Sequence, residues 1–203
     1  MAVITISRQA GAGGQTLGKM IADKLGYTFA DTEIIHRLSK EANVSSKWII
    51  SFEKEAGGRL SRVVSQLISK RWLERVLAGE RGYLDEQIYL DYMVLIIAQI
   101  ADEGNSVIMG RGSQYILNDH PDALHILLID EVDNRIKFMM EHHGMDESRA
   151  TSFIKHEDKR RVNLYQNLGK KDYDNPFLYH MVLNMGKLDL QSAFKIVCSI
   201  VTQ

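Results

Sequence analysis

The fold is decided by residues 2–26, which read AVITISRQAGAGGQTLGKMIADKLG. Residues 2–6 alternate β-branched and small side chains, which predicts a short strand. From Gln15 to Leu25 apolar side chains recur at helical spacing, and Gly26 is a helix stop signal. The glycine-rich residues between them predict a phosphate-binding loop, because backbone N–H groups and the helix dipole both favour an anion there. The alternative is a turn that packs the helix against the strand and binds nothing.

The rest of the chain repeats this alternation of short strands and helices. Between about residues 46 and 103 there is no Pro and little strand pattern, which predicts a helical block. Further strands are predicted at residues 27–30, 106–109, 124–129 and 179–183, and helices at 33–42, 132–142, 148–167 and 190–201. Such alternation predicts an α/β fold with three layers, a parallel sheet and helices on both faces.

Three of the predicted strands end in unusual polar or glycine-rich sequence. These ends are residues 8–16, the pair Asp31-Thr32, and the run Gly110-Arg111-Gly112. Ligands of parallel sheets bind at the carboxyl ends of the strands. We therefore expect the three segments to meet in one crevice.

The glycine loop lacks the lysine of the P-loop pattern G-x-x-x-x-G-K-[ST]. Gly14 stands at the lysine position in one register and Gln15 in the other, while Thr16 keeps the metal-binding hydroxyl. Lys19 is five residues past Gly14, about 140° around a helix, and should point away from the loop. Arg8, at the start of the loop, is therefore the better candidate for the missing cation.

Composition narrows the class of protein. The chain has 203 residues, 45% of them hydrophobic, with one Cys and a net charge of −1. A chain of this length supports a core without disulfides, and Cys198 is expected to be a buried thiol in a reducing cytoplasm. The balanced charge argues against nucleic acid as a partner, and no run of apolar residues is long enough for a membrane span.

Three stretches spread along the chain carry a family resemblance. They are MAVITISRQAGAGGQTLGKMIADKLGYTFADTEII at residues 1–35, SVIMGRGSQYIL at 106–117 and DNPFLYHMVLNMGKLDLQSAFKIV at 174–197. Together they resemble the cytidylate kinase-like family, a branch related to bacterial cytidylate kinases and other nucleoside monophosphate kinases. The resemblance implies a single P-loop kinase-like domain over residues 1–203 that uses ATP and Mg²⁺. It further implies a helical acceptor-side insertion at about 46–103 and a lid at about 144–170.

The acceptor site is also implied by this resemblance. Arginines hold the acceptor's phosphate in monophosphate kinases, since a planar guanidinium meets phosphate oxygens with two parallel hydrogen bonds. That role falls on Arg37 and Arg111, with Asp31 and Thr32 beside them. A solvated helix position for Arg37 and a helix cap for Asp31 are the alternatives, and Asp31 could instead bind a metal-bound water.

The lid and the ATP-binding residues follow in the same way. The charged run at residues 156–161 takes the place of the lid, so Arg160 and Arg161 would join Arg8 as catalytic cations. An ordinary solvated helix face is the alternative for this run. Mg²⁺ would be held through a water at Thr16. The ATP phosphates would contact the residues of the loop, which are Gly11, Ala12, Gly13, Gly14, Gln15 and Thr16.

Three functions are compatible with these patterns. The first is an ATP-dependent phosphotransferase that acts on a nucleoside monophosphate, CMP by the family resemblance, or on a similar small acceptor. The second is a nucleotide-binding regulatory protein with little catalysis, because the loop lacks its lysine. The third is an interaction module that uses the apolar helices at 46–103. We expect a cytoplasmic protein, either a monomer or a homodimer, with a small-molecule acceptor as its partner.

Overall fold

The computed structural model describes residues 2–41 and 86–201 of the chain. In these ranges strands β1 to β5 span Val3–Arg8, Thr28–Ala30, Ser106–Met109, Ala123–Ile129 and Met181–Asn184. Helices α1 to α7 span Gly14–Leu25, Thr32–Glu41, Glu86–Glu103, Ser113–Ile116, Val132–His143, Glu147–Asn167 and Leu190–Val201, and a 3₁₀ turn covers Pro176–Leu178.

The five strands form one parallel sheet in the order β2-β3-β1-β4-β5. β1 lies at its centre, where Ile4 is aligned with Val107 of β3 on one side and with Leu124 of β4 on the other. A central parallel strand is covered on both faces, and accordingly all residues of β1 from Val3 to Ser7 are buried, including the polar Thr5 and Ser7. The chain leaves β1, β2 and β3 at the same edge of the sheet, and this edge carries the candidate site.

Alternate residues of β1 contact opposite layers, as the two-residue period of a strand requires. Val3 belongs to a core cluster with apolar residues of α2 and α3, whereas Ile4 and Ile6 belong to a second cluster with residues of α1 and α7. Helices therefore cover both faces of the sheet. This arrangement confirms the predicted three-layer α/β fold.

Most predicted elements are present, and their ends differ from the prediction by one or two residues. The exceptions are α4 and the 3₁₀ turn, which span four and three residues and were not predicted. Elements this short cannot show a hydrophobic period. The helical block predicted at 46–103 is confirmed for Glu86–Glu103, and the rest of it lies outside the described residues.

Two smaller predictions had different outcomes in α7. Asp189 precedes this helix and accepts a hydrogen bond from the backbone N–H of Ser192 at 2.6 Å, as a helix cap should. Cys198 is only partly buried, at the margin of the cluster that α7 forms with the sheet, rather than fully buried as expected.

None of the helices in the described part of the chain has the length and apolar character to cross a bilayer.

A buried polar contact joins β1 to β4. The Thr5 hydroxyl lies 2.7 Å from His125 Nδ1, and the backbone N–H of His125 donates to Nδ1 of His180 at 3.0 Å. Burial, and secondarily the neighbouring His180, lower the pKa of His125 to about 4. His125 is therefore neutral at pH 7 and acts as an uncharged hydrogen-bonding group within the sheet.

Candidate active site

A cavity of about 500 Å³ opens at the carboxyl edge of the sheet, a size typical of small-molecule sites. Its walls come from the glycine loop, the ends of β2 and β3, and helices α2, α3, α5 and α6. The structure thus brings together the three strand ends that the sequence predicted to meet. Polar and glycine residues of the lining include Arg8, Gly11, Gly13, Gly14, Gln15, Thr16, Asp31, Gly110, Arg111, Glu157, Arg160 and Arg161.

The glycine loop is held in a conformation that requires glycine. Gly11 and Gly13 have φ values of 82° and 74°, and Gly13 begins α1 without a side-chain cap. The first backbone N–H groups of a helix have no acceptor within the helix. A Cβ at position 14 would lie only 2.8 Å from Arg8 Cγ, so the loop closes directly onto that side chain. The loop therefore places the first N–H groups of α1, which have no acceptor within the helix, at the cavity, while the Ala12 N–H donates to the Gln9 carbonyl oxygen at 3.2 Å.

Arg8 extends from the end of β1 beneath this loop. Its side chain packs against Gly14 and Gly110, and its guanidinium is close enough to Arg111 and Arg160 to be repelled by both. Burial is the main cause that lowers the pKa of Arg8, and the attraction of Asp31 opposes it. Within residues 2–41 and 86–201 no hydrogen bond or salt bridge reaches the Arg8 guanidinium. A partly buried cation that lines the cavity in this state favours binding of an anion.

Asp31 connects the glycine loop to the turn after β3. Its carboxylate accepts a hydrogen bond from Arg111 Nη1 at 2.7 Å and one from Gln15 Nε2 at 3.4 Å. Arg111 has a φ of 52°, an uncommon conformation for a residue other than glycine, and lies between Gly110 and Gly112, which also have positive φ. Backbone strain of this kind is concentrated at functional sites. The three strand ends are thus linked by one carboxylate.

Arg37 lies outside the cavity, whereas the family resemblance implied that Arg37 and Arg111 hold one acceptor phosphate together. Arg37 does not line the cavity and forms two hydrogen bonds with the Glu103 carboxylate, at 2.6 and 2.7 Å. These bonds lower the pKa of Glu103. The structural reason is that α2 packs against α3, which places Arg37 beside the last residue of α3. Thr32 begins α2, but its side chain lies outside the described residues.

The charged run on α6 is not simply a solvated helix face, because Glu157, Arg160 and Arg161 line the cavity. Arg160 Nη2 lies 2.8 Å from a Glu157 carboxylate oxygen. Arg161 is bound by both oxygens of Asp174, at 2.5 and 2.7 Å. This bidentate pair raises the pKa of Arg161 despite its burial. Both predicted lid arginines therefore reach the cavity, each with a carboxylate partner.

One wall of the cavity is apolar, and the sequence analysis did not find it. This wall is lined by Phe138 and Met139 of α5 and by Phe153 of α6. A Cβ placed on Gly13 of the loop would lie 3.9 Å from the Phe138 ring. Apolar residues on a helix are by default core residues, so their sequence pattern carried no signal of a site. The cavity therefore has an apolar surface beside the glycine loop.

No metal-binding cluster of three or more His, Cys, Asp or Glu residues exists among the residues that the structure describes. Thr16 is exposed and lines the cavity at the first turn of α1. Lys19, on the same helix, is exposed and does not line the cavity, as its angular position predicted.

Comparisons with known proteins agree with this architecture. The model of the cytidylate kinase-like family matches residues 3–187. An uncharacterized protein from Eubacterium ventriosum is similar with a TM-score of 0.69 and 20% identity, covering 99% of this chain and 98% of its own. A shikimate kinase from Bacteroides thetaiotaomicron has a TM-score of 0.56 and 15% identity, covering 100% and 99%. A shikimate kinase from Acinetobacter baumannii in complex with shikimate has a TM-score of 0.53 and 13% identity, covering 100% and 93%. The chain has the P-loop kinase fold. A comparison with curated protein sequences found no match.

Proposed function

We propose, from the premise that this chain belongs to the cytidylate kinase-like family, that it transfers the γ-phosphoryl group of ATP to a small acceptor. The observation that carries the proposal is the Arg8 side chain, which lies partly buried at the cavity wall beneath the glycine loop and has no bonded counter-ion in the described ranges. Phosphoryl transfer depends mainly on positioning and on stabilisation of negative charge. Arg8 takes the role of the absent P-loop lysine.

The donor nucleotide fits the two halves of the cavity. Its phosphates would lie on the backbone N–H groups of residues Gly11 to Thr16, where side chains other than hydrogen are excluded at Gly11 and Gly14 by their neighbours. Its base would lie against the apolar wall of Phe138, Met139 and Phe153. Arg160 and Arg161 would add positive charge from α6 as the phosphoryl group moves.

Magnesium fits the same site through an oxygen donor. The Thr16 hydroxyl would hold it, directly or through water, and Asp31 could bind one of its waters. When bound, Mg²⁺ would neutralise charge on the phosphates during transfer. The protein itself would orient the phosphates with the loop and attract them with the positive charge of Arg8.

The acceptor in this proposal carries a phosphate, and a nucleoside monophosphate such as CMP is the leading candidate. Arg111 would hold that phosphate from the turn after β3, while Asp31 and Gln15 fix the direction of its side chain. Arg37 has no part in this version of the site because it is bound to Glu103 away from the cavity. The base of the acceptor would lie toward Tyr89 and Leu90 of α3.

A nucleotide-binding regulator with little catalysis is the second candidate, favoured by the absence of a lysine in the loop. Two measurements separate the candidates. Millimolar ATP with Mg²⁺ should raise the melting temperature, since ligand at 100 times its Kd stabilises a protein by about 2.7 kcal/mol. Formation of ADP is then followed with CMP, UMP, AMP, shikimate or no acceptor. No thermal shift with ATP would refute both candidates, whereas a shift without acceptor-dependent ADP would favour the regulator.

A further inference from the structure

The peptide groups at Ala10, immediately before the first glycine of the loop, are held from both sides by α5 and α6. The backbone N–H of Ala10 donates to Asp158 Oδ1 at 3.1 Å, and its carbonyl oxygen accepts from Arg135 Nη1 at 3.0 Å. The same Arg135 nitrogen lies 2.7 Å from Asp158 Oδ2. A salt bridge between two helices thus closes around one residue of the glycine loop.

We call the Arg135–Asp158 pair around Ala10 the clamp; its arginine is buried and its aspartate is partly buried. The side chain of Arg135 is 6% exposed and that of Asp158 is 29% exposed. The next loop residue also fits this surface closely, because a Cβ at Gly11 would lie 2.9 Å from the carbonyl oxygen of Arg135 and 3.0 Å from its Cβ. The first turn of the loop therefore rests on α5, and its conformation depends on residues more than a hundred positions away in sequence.

Asp158 also determines where the cavity arginines of α6 stand relative to the loop. Arg160 and Arg161 follow it by two and three residues, about 3 to 4.5 Å along the helix axis. A carboxylate bonded to the loop therefore fixes the distance between the loop and these guanidinium groups. A lysine within the loop would contact the phosphates without any contact to α6, but the loop of this chain contains no lysine.

We propose that Asp158 and Arg135 are positioning residues that preset the glycine loop and align α6 with it for nucleotide binding. The proposal rests on the proposed function in one respect, that a nucleotide binds at the loop. Neither residue touches the nucleotide in this proposal. They act by orienting the Ala10 peptide groups and, through α6, Arg160 and Arg161.

The first test needs no ligand. Hydrogen exchange at the Ala10 amide is measured in the parent, in Asp158→Ala, in Asp158→Asn and in Asp146→Ala. Asp146 is a matched control, because it caps the start of α6 through the Arg149 N–H at 2.8 Å and does not contact the loop. Asp158→Ala should speed Ala10 exchange by about tenfold or more, since it removes a charge-assisted hydrogen bond. Asp158→Asn keeps an acceptor oxygen and should give a smaller increase. Asp146→Ala should leave Ala10 exchange unchanged.

The second test adds ATP and Mg²⁺ to the same four proteins, and compares the rise in melting temperature and the split between KM and kcat. The proposal expects a smaller ATP-dependent rise and a higher KM for ATP in Asp158→Ala, with Asp158→Asn between it and the parent. Asp146→Ala should melt at a lower temperature yet keep the full ATP-dependent rise. If Arg135→Met folds, it should show the same smaller ATP-dependent rise and higher KM as Asp158→Ala. If it does not fold, the Asp158→Asn data test the proposal instead.

Two outcomes would overturn the inference. One is an Ala10 amide in Asp158→Ala that exchanges as slowly as in the parent. The other is faster exchange with an unchanged ATP-dependent rise and an unchanged KM, which would make the clamp structural only. A parent protein without any ATP-dependent rise would refute the proposed function, and with it the role in nucleotide binding, while the exchange data would still decide whether the clamp holds the loop.

Discussion

Replacement of Arg8 by methionine should stabilise the unliganded protein and impair nucleotide binding. Methionine keeps much of the length and apolar contact of the arginine side chain but removes its charge. Arg8 is partly buried at the cavity wall, desolvation is the main cause that lowers its pKa, and no hydrogen bond or salt bridge reaches it in residues 2–41 and 86–201. Leaving a fully buried donor unsatisfied costs roughly 1–3 kcal/mol, and because Arg8 is only partly buried, Arg8→Met should recover no more than about 1 kcal/mol. For a chain of this length, each kcal/mol corresponds to about 2–4 °C in melting temperature.

Whereas Arg8→Met should stabilise the unliganded protein, it should weaken the binding of ATP. A hydrogen bond to a charged phosphate contributes roughly 1.5–3 kcal/mol, so Arg8→Met should weaken ATP binding by about tenfold or more. If Arg8 also stabilises the moving phosphoryl group, turnover should fall by roughly 10²- to 10³-fold. Both are measured by thermal melting with and without ATP and Mg²⁺, and by formation of ADP.

Lys19→Met is the matched control, because Lys19 is exposed on α1, outside the cavity lining. It should leave the ATP-dependent shift and the turnover near those of the parent. If Arg8→Met lowers the melting temperature without ligand and keeps the full ATP-dependent shift, Arg8 is a structural residue. The assignment of the lysine's role to Arg8 would then be wrong.

Three further results are expected. Gly110→Ala should mimic the loss of Arg8 in ATP binding, because a Cβ at this position, where φ is 60°, would overlap Arg8 Nη1; an ATP titration with unchanged affinity would contradict this. Replacing Arg160 or Arg161 by alanine should lower turnover but leave ATP affinity within a few fold, since both arginines are proposed to stabilise charge mainly during phosphoryl transfer, and parental turnover in both variants would show that neither has a catalytic role. Because the pKa of His125 is lowered to about 4 from 6.5, the unfolded state takes up a proton first, and the free energy of unfolding should fall as pH decreases through this window. The loss from pH 7 to pH 5 should be roughly 2 kcal/mol by urea titration, and a His125→Gln variant with the same pH dependence would refute the linkage.

Local sequence was sufficient for the elements of the fold. The strand, glycine loop and helix at the start of the chain were predicted from neighbouring residues, because β-branched runs, glycine turns and helical spacing are short-range signals. The predicted strand at 106–109 and the closing helix at 190–201 have the observed bounds. Four-residue α4 was missed because it covers only about one helical turn, too few residues for apolar positions to recur at helical spacing.

From residue patterns alone the candidate site was predictable only where its residues follow strand ends, whereas Arg160 and Arg161 came from the family resemblance. The sequence placed Arg8, Asp31 and Arg111 in one crevice, because the carboxyl ends of parallel strands share an edge. It could not place the apolar wall, since Phe138 and Phe153 look like core residues of two separate helices. It also could not tell that Arg37 would pair with Glu103, 66 residues later.

The amino-acid sequence by itself determined the α/β class, the order of the elements, the loop without lysine and the family resemblance, all from residues adjacent in the chain or at regular spacing. Only the tertiary structure decided which charges meet. Asp31 bonds to Arg111 across 80 positions, and Asp158 bonds to Ala10 across 148. Such pairings depend on how helices pack on the sheet, and the energy that selects them is shared among many long-range contacts, so no local pattern in the sequence records them.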